Sequence, residues 1–145
     1  MTRTTRPAPA RTIAFLTATV LAAAIGAGAL ATPAAAGGQV ALTFNARDAD
    51  EAQAMRMGLG LYALANGLKS GGNIVQRGFG NMAGLAQAGS GNFGVVHQEG
   101  DGHTGTLTQT GNGNAHGLFQ FGGNTGAHVS QTGNGQAGAT VVLGW

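Results

Sequence analysis

The hydrophobic and polar positions between Ser70 and Gln131 repeat with a period of eleven residues. Six glutamines follow one another at this spacing: Gln76, Gln87, Gln98, Gln109, Gln120 and Gln131. An aliphatic residue stands two positions before each glutamine: Ile74, Leu85, Val96, Leu107, Leu118 and Val129. A glycine stands two positions after each: Gly78, Gly89, Gly100, Gly111, Gly122 and Gly133. A period held over six copies without insertion predicts a stacked repeat architecture.

Within each unit, positions of restricted chemistry alternate with positions that vary freely. The units begin at Ser70, Asn81, Asn92, His103, Asn114 and Thr125. Positions one, three, five and seven are restricted, and this period of two predicts one strand per unit with one face buried. The glycines that follow predict a tight turn with positive φ. Two glycines per unit exclude a helical coil, and a calcium-binding roll would need a repeated aspartate, whereas the repeats hold only Asp101.

A strand, a tight turn, a strand and a tight turn together predict an all-β fold, a flattened β-solenoid with two strands per rung. Residues 70–91, 92–113 and 114–135 form three rungs and residues 136–145 begin a fourth, so about three to four rungs are expected. Successive rungs stack about 4.8 Å apart, so like positions lie above one another in a cross-β, amyloid-like arrangement. Buried amides then satisfy one another. The predicted ladder residues are the six glutamines together with Asn81, Asn92 and Asn114.

The chain begins with an apolar stretch. In the remainder, residues 37–69 are the least periodic part. Val40, Leu42 and Phe44 alternate with other residues, which indicates a short strand. The acidic run that begins at Asp48 is typical of a helix start. Ala65 falls where a glutamine would be, so the same stretch is also compatible with a degenerate first rung. Gly58, Gly60 and Gly67 count against a long helix.

Residues 1–36 are interpreted as a secretory signal peptide. Arg3, Arg6 and Arg11 precede an apolar run, and three alanines offer a cleavage site before Gly37. The chain is therefore expected to be secreted, through the periplasm, to the cell exterior. A retained membrane anchor is the alternative, although the run is rich in alanine and glycine.

Charge and composition then exclude several classes of function. Without residues 1–36, the chain has four basic and five acidic residues, and no lysine or arginine follows Arg77. A basic surface that binds nucleic acid is therefore not expected. Cysteine is absent, and the four histidines occupy four different unit positions, so neither a metal nor another cofactor is predicted. Acidic residues are nearly absent from the repeats, so no catalytic arrangement is readable and an enzyme is not expected.

The spacing from Ser70 to Gln87 resembles the repeat of the curlin family. The family pattern is Ser, five residues, Gln, four residues, Asn, five residues, Gln, and here Ser70, Gln76, Asn81 and Gln87 match it. The two later copies keep the glutamines but differ at the first and third positions, with Asn92 and His103, then Asn114 and Thr125. The resemblance covers Ser70 to about Leu143, roughly half of the chain.

The resemblance implies a subunit of curli fibres, closer to the minor, nucleating subunit than to the major one. Such subunits polymerise into functional amyloid at the cell surface, where they serve biofilm matrix and adhesion. The implied partners are further copies of the chain, a second curlin-type subunit, an outer-membrane export pore, and host or abiotic surfaces.

The ends of the solenoid lead to the same expectation from physics. The C-terminal end continues in register to Leu143 with no charge or proline to stop it, so the ladder is predicted to be uncapped on the Trp145 side. The alternative is a soluble, monomeric β-solenoid that binds a glycan, a protein or ice through its surface.

Overall fold

The computed structural model describes residues 37–145; the predicted signal peptide and its cleavage site lie outside the described residues. Eight strands and one helix follow in the order β1, α1, β2 to β8. Their bounds are β1 Gln39–Asn45, α1 Ala49–Ala65, β2 Gly72–Arg77, β3 Met82–Ala88, β4 Phe93–Asp101, β5 Thr104–Thr110, β6 Ala115–Gly123, β7 Gly126–Thr132 and β8 Ala137–Gly144. This arrangement confirms the predicted all-β fold with a β-solenoid of about three turns.

The solenoid consists of two sheets between which the chain alternates. One sheet has five strands in the order β1-β8-β6-β4-β2, and the other has three in the order β3-β5-β7. Neighbouring solenoid strands are parallel and in register at a spacing of twenty-two residues, so that Gln76 pairs with Gln98 and Gln98 with Gln120. In the three-stranded sheet, Gln87 pairs with Gln109 and Gln109 with Gln131.

The strand β1 corrects the expectation of a bare ladder on the Trp145 side. It lies antiparallel against β8, with Gln39 opposite Gly144 and Asn45 opposite Gly138. Gly38 and Trp145 exchange two backbone hydrogen bonds of 3.0 Å beyond the end of this pair. The five-stranded sheet is therefore closed by a strand that precedes the repeats in sequence, whereas β7 remains an edge among residues 37–145.

The segment before the repeats is a strand followed by a helix, and not a degenerate rung. Asp48 caps α1 by accepting a hydrogen bond from the Glu51 N–H, 2.8 Å away. The helix continues through Gly58 and Gly60 despite their low helix propensity. It is held by tertiary packing instead, because its buried face lies on the outer surface of β6 and β8.

Two separate apolar clusters result. Inside the solenoid, Val96, Leu107, Leu118 and Val142 are fully buried. On the outer face of the five-stranded sheet, α1 and the strands form a second cluster, which consists of Ala52, Leu59, Ala115, Phe119, Ala137 and Val141. Within residues 37–145, no helix has both the length and the apolar character needed to cross a membrane.

Candidate functional site

The six glutamines form two side-chain ladders inside the solenoid. In the five-stranded sheet, Gln76 donates through Nε2 to Gln98 Oε1, and Gln98 donates to Gln120 Oε1, each over 2.8 Å. In the other sheet, Gln87 donates to Gln109 over 2.7 Å and Gln109 to Gln131 over 2.9 Å. All the amides therefore point their donors in one direction, toward the higher-numbered rung.

The second N–H of the inner glutamines crosses to a backbone carbonyl of the other sheet. Gln98 Nε2 lies 2.9 Å from Met82 O, and Gln109 Nε2 lies 3.2 Å from Phe93 O. Each inner amide thus makes three hydrogen bonds in an environment from which water is excluded. These bonds fix the register between rungs and also the distance between the two sheets.

At the C-terminal end the ladders stop in two different ways. Gln120 donates to Thr125 Oγ1 over 2.8 Å, and the fully buried Val142 occupies the next glutamine position, so the first ladder is terminated. Gln131 is the last member of the second ladder. Its Nε2 reaches only Ala115 O, at 3.4 Å, so one N–H points onward without an acceptor among residues 37–145.

The asparagines at position one join the rungs through backbone groups rather than through each other. Asn92 Nδ2 donates to Ala88 O at 3.3 Å and to Gly111 O at 2.8 Å, and its Oδ1 accepts from the Asn114 N–H at 3.0 Å. Asn81 and Asn114 repeat this set of contacts. They belong to the same stacking system as the glutamines, but as clamps across the turn.

His103 replaces asparagine in this column. The sequence pattern did not predict that it would make the same kind of inter-rung hydrogen bonds. The side chain is fully buried, its Nδ1 lies 2.7 Å from Thr125 Oγ1, and its Nε2 lies 3.2 Å from Glu99 O. These contacts match two of the three that an asparagine makes here, to the carbonyl group four residues earlier and to the residue twenty-two positions later. Its place at position one of a unit was the signal that pointed to this role.

The repeat pattern did not predict a further column of hydrogen-bonding side chains, at position ten of the units. Asp101 Oδ1 accepts from the Phe79 N–H at 2.7 Å, Asn112 Oδ1 from Ser90 N–H at 2.9 Å, and Asn134 Oδ1 from Asn112 N–H at 2.8 Å. The turns are therefore hydrogen-bonded to one another along the solenoid axis, as the strands are.

The six predicted turn glycines all have positive φ, between 93° and 133°. Close stacking adds a second constraint on five of them. A Cβ placed on Gly100 would lie 1.8 Å from the carbonyl oxygen of Gly122 in the next rung. A side chain is therefore excluded at this position by backbone conformation and by contact together.

The helix α1 covers side chains on the outer face of the five-stranded sheet. Tyr62 of α1 packs edge-on against Phe119, and its hydroxyl lies 2.5 Å from His97 Nδ1. His97 Nε2 in turn lies 3.4 Å from Glu99 Oε2. Burial lowers the pKa of His97, whereas burial raises the pKa of Tyr62 to about 12, so both side chains are neutral at physiological pH.

The N-terminal end of the solenoid is uncovered. The strands β2 and β3 are edges of their sheets, and Gln76 Oε1 and Gln87 Oε1 have no donor among the described residues. Ile74, predicted as core, faces inward but is 45 % exposed because no rung lies beyond it. Met82 is also exposed at this end.

At the opposite end, a cavity of about 460 Å³ lies beside β7, where the second strand of a fourth rung would run. We call it the slot; its lining residues include Thr43, Asn45, His116, Val129 and Gln131. His116 is 1 % exposed and its Nε2 lies 3.1 Å from Thr140 Oγ1, but its Nδ1 has no partner in the described part of the chain. Burial lowers the pKa of His116 to about 4.

The described residues contain no group of three or more histidine or acidic side chains with metal-binding geometry. In comparisons with protein-family models, with curated proteins and with solved structures, no match to this chain was found. The candidate site is therefore defined by the two ladders and by the two solenoid ends at which they stop.

Proposed function

We propose that this chain is a structural subunit that assembles through its solenoid ends into extracellular fibres of the functional-amyloid kind, as a bulk or nucleating component. This extends the curlin-like spacing of the repeats into a mechanism in which the end strands of one solenoid pair with the end strands of another. The partners are further copies, a related second subunit, an export pore and the surfaces to which the fibre adheres.

The observation that carries the proposal is the bare N-terminal rung. An edge strand without a neighbour offers unpaired backbone groups to another chain, and two such edges lie side by side here. The open Oε1 atoms of Gln76 and Gln87 repeat the acceptor that every inner glutamine already satisfies. Pairing at this end would also bury Ile74.

The charges of the repeats favour stacking rather than oppose it. Between residues 70 and 145, the only side chains with a formal charge at neutral pH are Arg77, Glu99 and Asp101, and Arg77 of β2 is paired with Glu99 of the next rung. Like charges repeated along a stack would repel one another at a spacing of about 4.8 Å. Their scarcity therefore removes a device by which many proteins keep their edge strands apart.

The test is assembly of the purified protein, followed by thioflavin T fluorescence and sedimentation. We expect a lag followed by growth, shortening of the lag by seeds, and fibre diffraction near 4.8 Å along the axis. Protein that stays monomeric for days at tens of micromolar concentration would exclude the proposal.

A paired set of variants locates the contact. The double variant Gln76→Ala, Gln87→Ala removes both open acceptors and should slow assembly at least about tenfold, since each lost amide hydrogen bond is worth about 1 kcal/mol. The control is Phe93→Ala, which truncates an outward side chain of β4 that packs partly against the cluster under α1 and belongs to neither ladder, so it should change the rate little. Equal rates for the two variants would argue against ladder-mediated assembly.

A monomeric surface-binding solenoid is the second candidate, and one observation favours it. Four threonines form a row on the outer face of β5, which α1 does not cover: Thr104, Thr106, Thr108 and Thr110. The full row is confined to one strand, because β3 carries no threonine at the paired positions and β7 carries only Thr132. Persistent monomer in the assembly test would favour this function.

A further inference from the structure

The two ends of the solenoid differ in shape. At the N-terminal end both sheets stop at the first rung, with β2 and β3, so this end is flush. At the other end the five-stranded sheet extends beyond β7 by two strands, β8 and β1. The slot is the inner side of this two-strand step.

No strand among residues 37–145 occupies the slot. Only the hydrogen bonds of Gly126, at the start of β7, are satisfied there, and they are satisfied by a side chain. The Gln39 side chain accepts from the Gly126 N–H at 2.6 Å and donates to Gly126 O at 3.0 Å, as a neighbouring strand would. Because alternate N–H groups of a strand point to the same side, those of His128 and Ser130 also face the slot. The residues that line this cavity include His116, whose buried Nδ1 is unpaired, and Gln131, whose side chain has one N–H without an acceptor.

On the other side of the step, β1 offers an unpaired edge. Its even-numbered residues face β8, as the hydrogen bonds of Gly38 to Trp145 and of Ala46 to Ala137 show. The N–H groups of Ala41 and Thr43 therefore point away from β8. The strand contains neither a charge nor a proline that would protect this edge.

We infer that the slot receives β1 of a second copy of this chain, in a two-fold, tail-to-tail joint. This inference rests on the proposed function and specifies how one end is used. A two-fold axis parallel to the strands places the five-stranded sheet of each copy above the three-stranded sheet of the other. The two-strand steps then interlock, and each resulting sheet continues through eight strands.

Strand direction and side-chain chemistry agree with this occupant. Within one molecule β1 is antiparallel to β8 and therefore runs in the direction of β7, and a rotation about the strand axis keeps that direction, so the new pair is parallel like the others. Thr43 and Asn45 of both copies would meet inside the joint beside His116. Hydroxyl and amide groups are suitable partners for the unpaired Nδ1.

Head-to-tail stacking fits this end less well. A flush N-terminal end placed on β1 would leave a gap of two strands above β7, with Gln131 and His116 beside it. A fibre built on the tail-to-tail joint instead alternates this joint with pairing of two flush N-terminal ends.

The experiment isolates the joint by blocking the other end. The variant Ile74→Lys places a charge at the flush end, where pairing would have to bury it without a partner. Analytical ultracentrifugation of this variant should show a dimer and no larger species. Adding Ser130→Pro removes one N–H that faces the slot and none that faces β5, and it should reduce the sedimenting species to monomer.

Controls address folding and register. Ser130→Ala in the Ile74→Lys background keeps the N–H and should remain dimeric. Ala41→Pro blocks the same joint from β1, so it replaces Ser130→Pro if circular dichroism shows that the latter is unfolded. In the dimer, deuterium exchange at His128, Ser130, Ala41 and Thr43 should slow at least about tenfold relative to the blocked monomer.

Each outcome is informative. Monomeric Ile74→Lys protein, or a dimer indifferent to both proline variants, would overturn the tail-to-tail joint. If wild-type protein forms fibres while Ile74→Lys is monomeric, the joint is wrong and the proposed function stands. If wild-type protein stops at a dimer that Ser130→Pro dissociates, the joint stands and fibre assembly fails.

Discussion

At the scale of the residue, the glutamine amide has the hydrogen-bond donors and acceptor that its position requires, and they point in the required directions. Each inner glutamine accepts from the rung below, donates to the rung above and donates across to the opposite sheet, as Gln98 and Gln109 do. A hydroxyl has only one hydrogen to donate and cannot serve both outgoing directions.

We expect Gln98→Leu to lower the free energy of unfolding by about 3 kcal/mol. The change leaves Gln76 Nε2, Gln120 Oε1 and Met82 O without their partner, and Gln120 is fully buried. The matched change Gln76→Leu lies at the open end and leaves one buried atom, Gln98 Oε1, without its partner, so it should cost only about 1 kcal/mol. Urea denaturation of monomeric protein measures both, and equal costs would contradict the ladder account.

We expect His116 to make the fold sensitive to acid. Its folded-state pKa of about 4 lies below the usual value of 6.5, so its contribution to stability is complete above pH 6.5 and is lost as the pH falls toward 4. The loss between those values is at most about 3 kcal/mol. The variant His116→Ala, which restores the small residue of the other units, should flatten this part of the stability curve measured by urea denaturation.

His97 sets the background for that measurement. Its pKa is lowered by burial as well, so it also destabilises the fold as the pH falls, in wild type and variant alike. The informative quantity is therefore the difference between the two curves. Parallel curves from pH 7.5 to pH 4 would show that His116 does not titrate as its burial requires.

At the scale of the element, the turn depends on glycine to different degrees at its two glycine positions. Gly100 has φ 124° and is in contact with the next rung, whereas Gly113 has φ 66° and open space around its Cα. Asn124 occupies the position equivalent to Gly113 in another unit, with φ 53°. Asparagine tolerates this left-handed region, so only the first position requires glycine.

We expect Gly113→Asn to change the free energy of unfolding by less than about 1 kcal/mol, because the conformation is accessible to asparagine and no atom lies within 4 Å of a Cβ placed there. Gly100→Asn should cost more than about 4 kcal/mol or prevent folding, since backbone strain and a clash with Gly122 O act together. Thermal denaturation followed by circular dichroism compares the two variants. Similar melting temperatures would refute the stacking constraint.

The helix shows what local sequence signals predict and what they omit. The acidic start at Asp48 predicted where α1 begins, but the glycines argued for an earlier end than Ala65. Its position depends on contacts remote in sequence: Leu59 packs with Phe119, and Arg56 donates to the carbonyl groups of Gly113 and Gly135. Such contacts leave no periodic trace in either partner.

At the scale of the whole molecule, the repeats predicted the solenoid because every rung obeys the same rule. Register, rung count and the inward face all follow from a spacing of eleven residues between Gln76 and Gln131. The ends could not be predicted in this way, since an end is where the rule stops. The antiparallel placement of β1 on β8, the exposure of Ile74 and the slot beside β7 are all properties of ends.

The pairing of β1 with β8 also has a consequence for the order of folding. Among the strands of residues 37–145, β1 emerges first during synthesis, yet its partner β8 is the last to appear. The rungs join strands twenty-two residues apart, whereas this closure spans almost the whole described segment, so it is the slowest contact to form by its contact order. For that interval the edge of β8 is bare, and a neighbouring molecule competes with the chain's own first strand for it. The time that a molecule spends unclosed, and not only its final shape, then influences how readily it joins another.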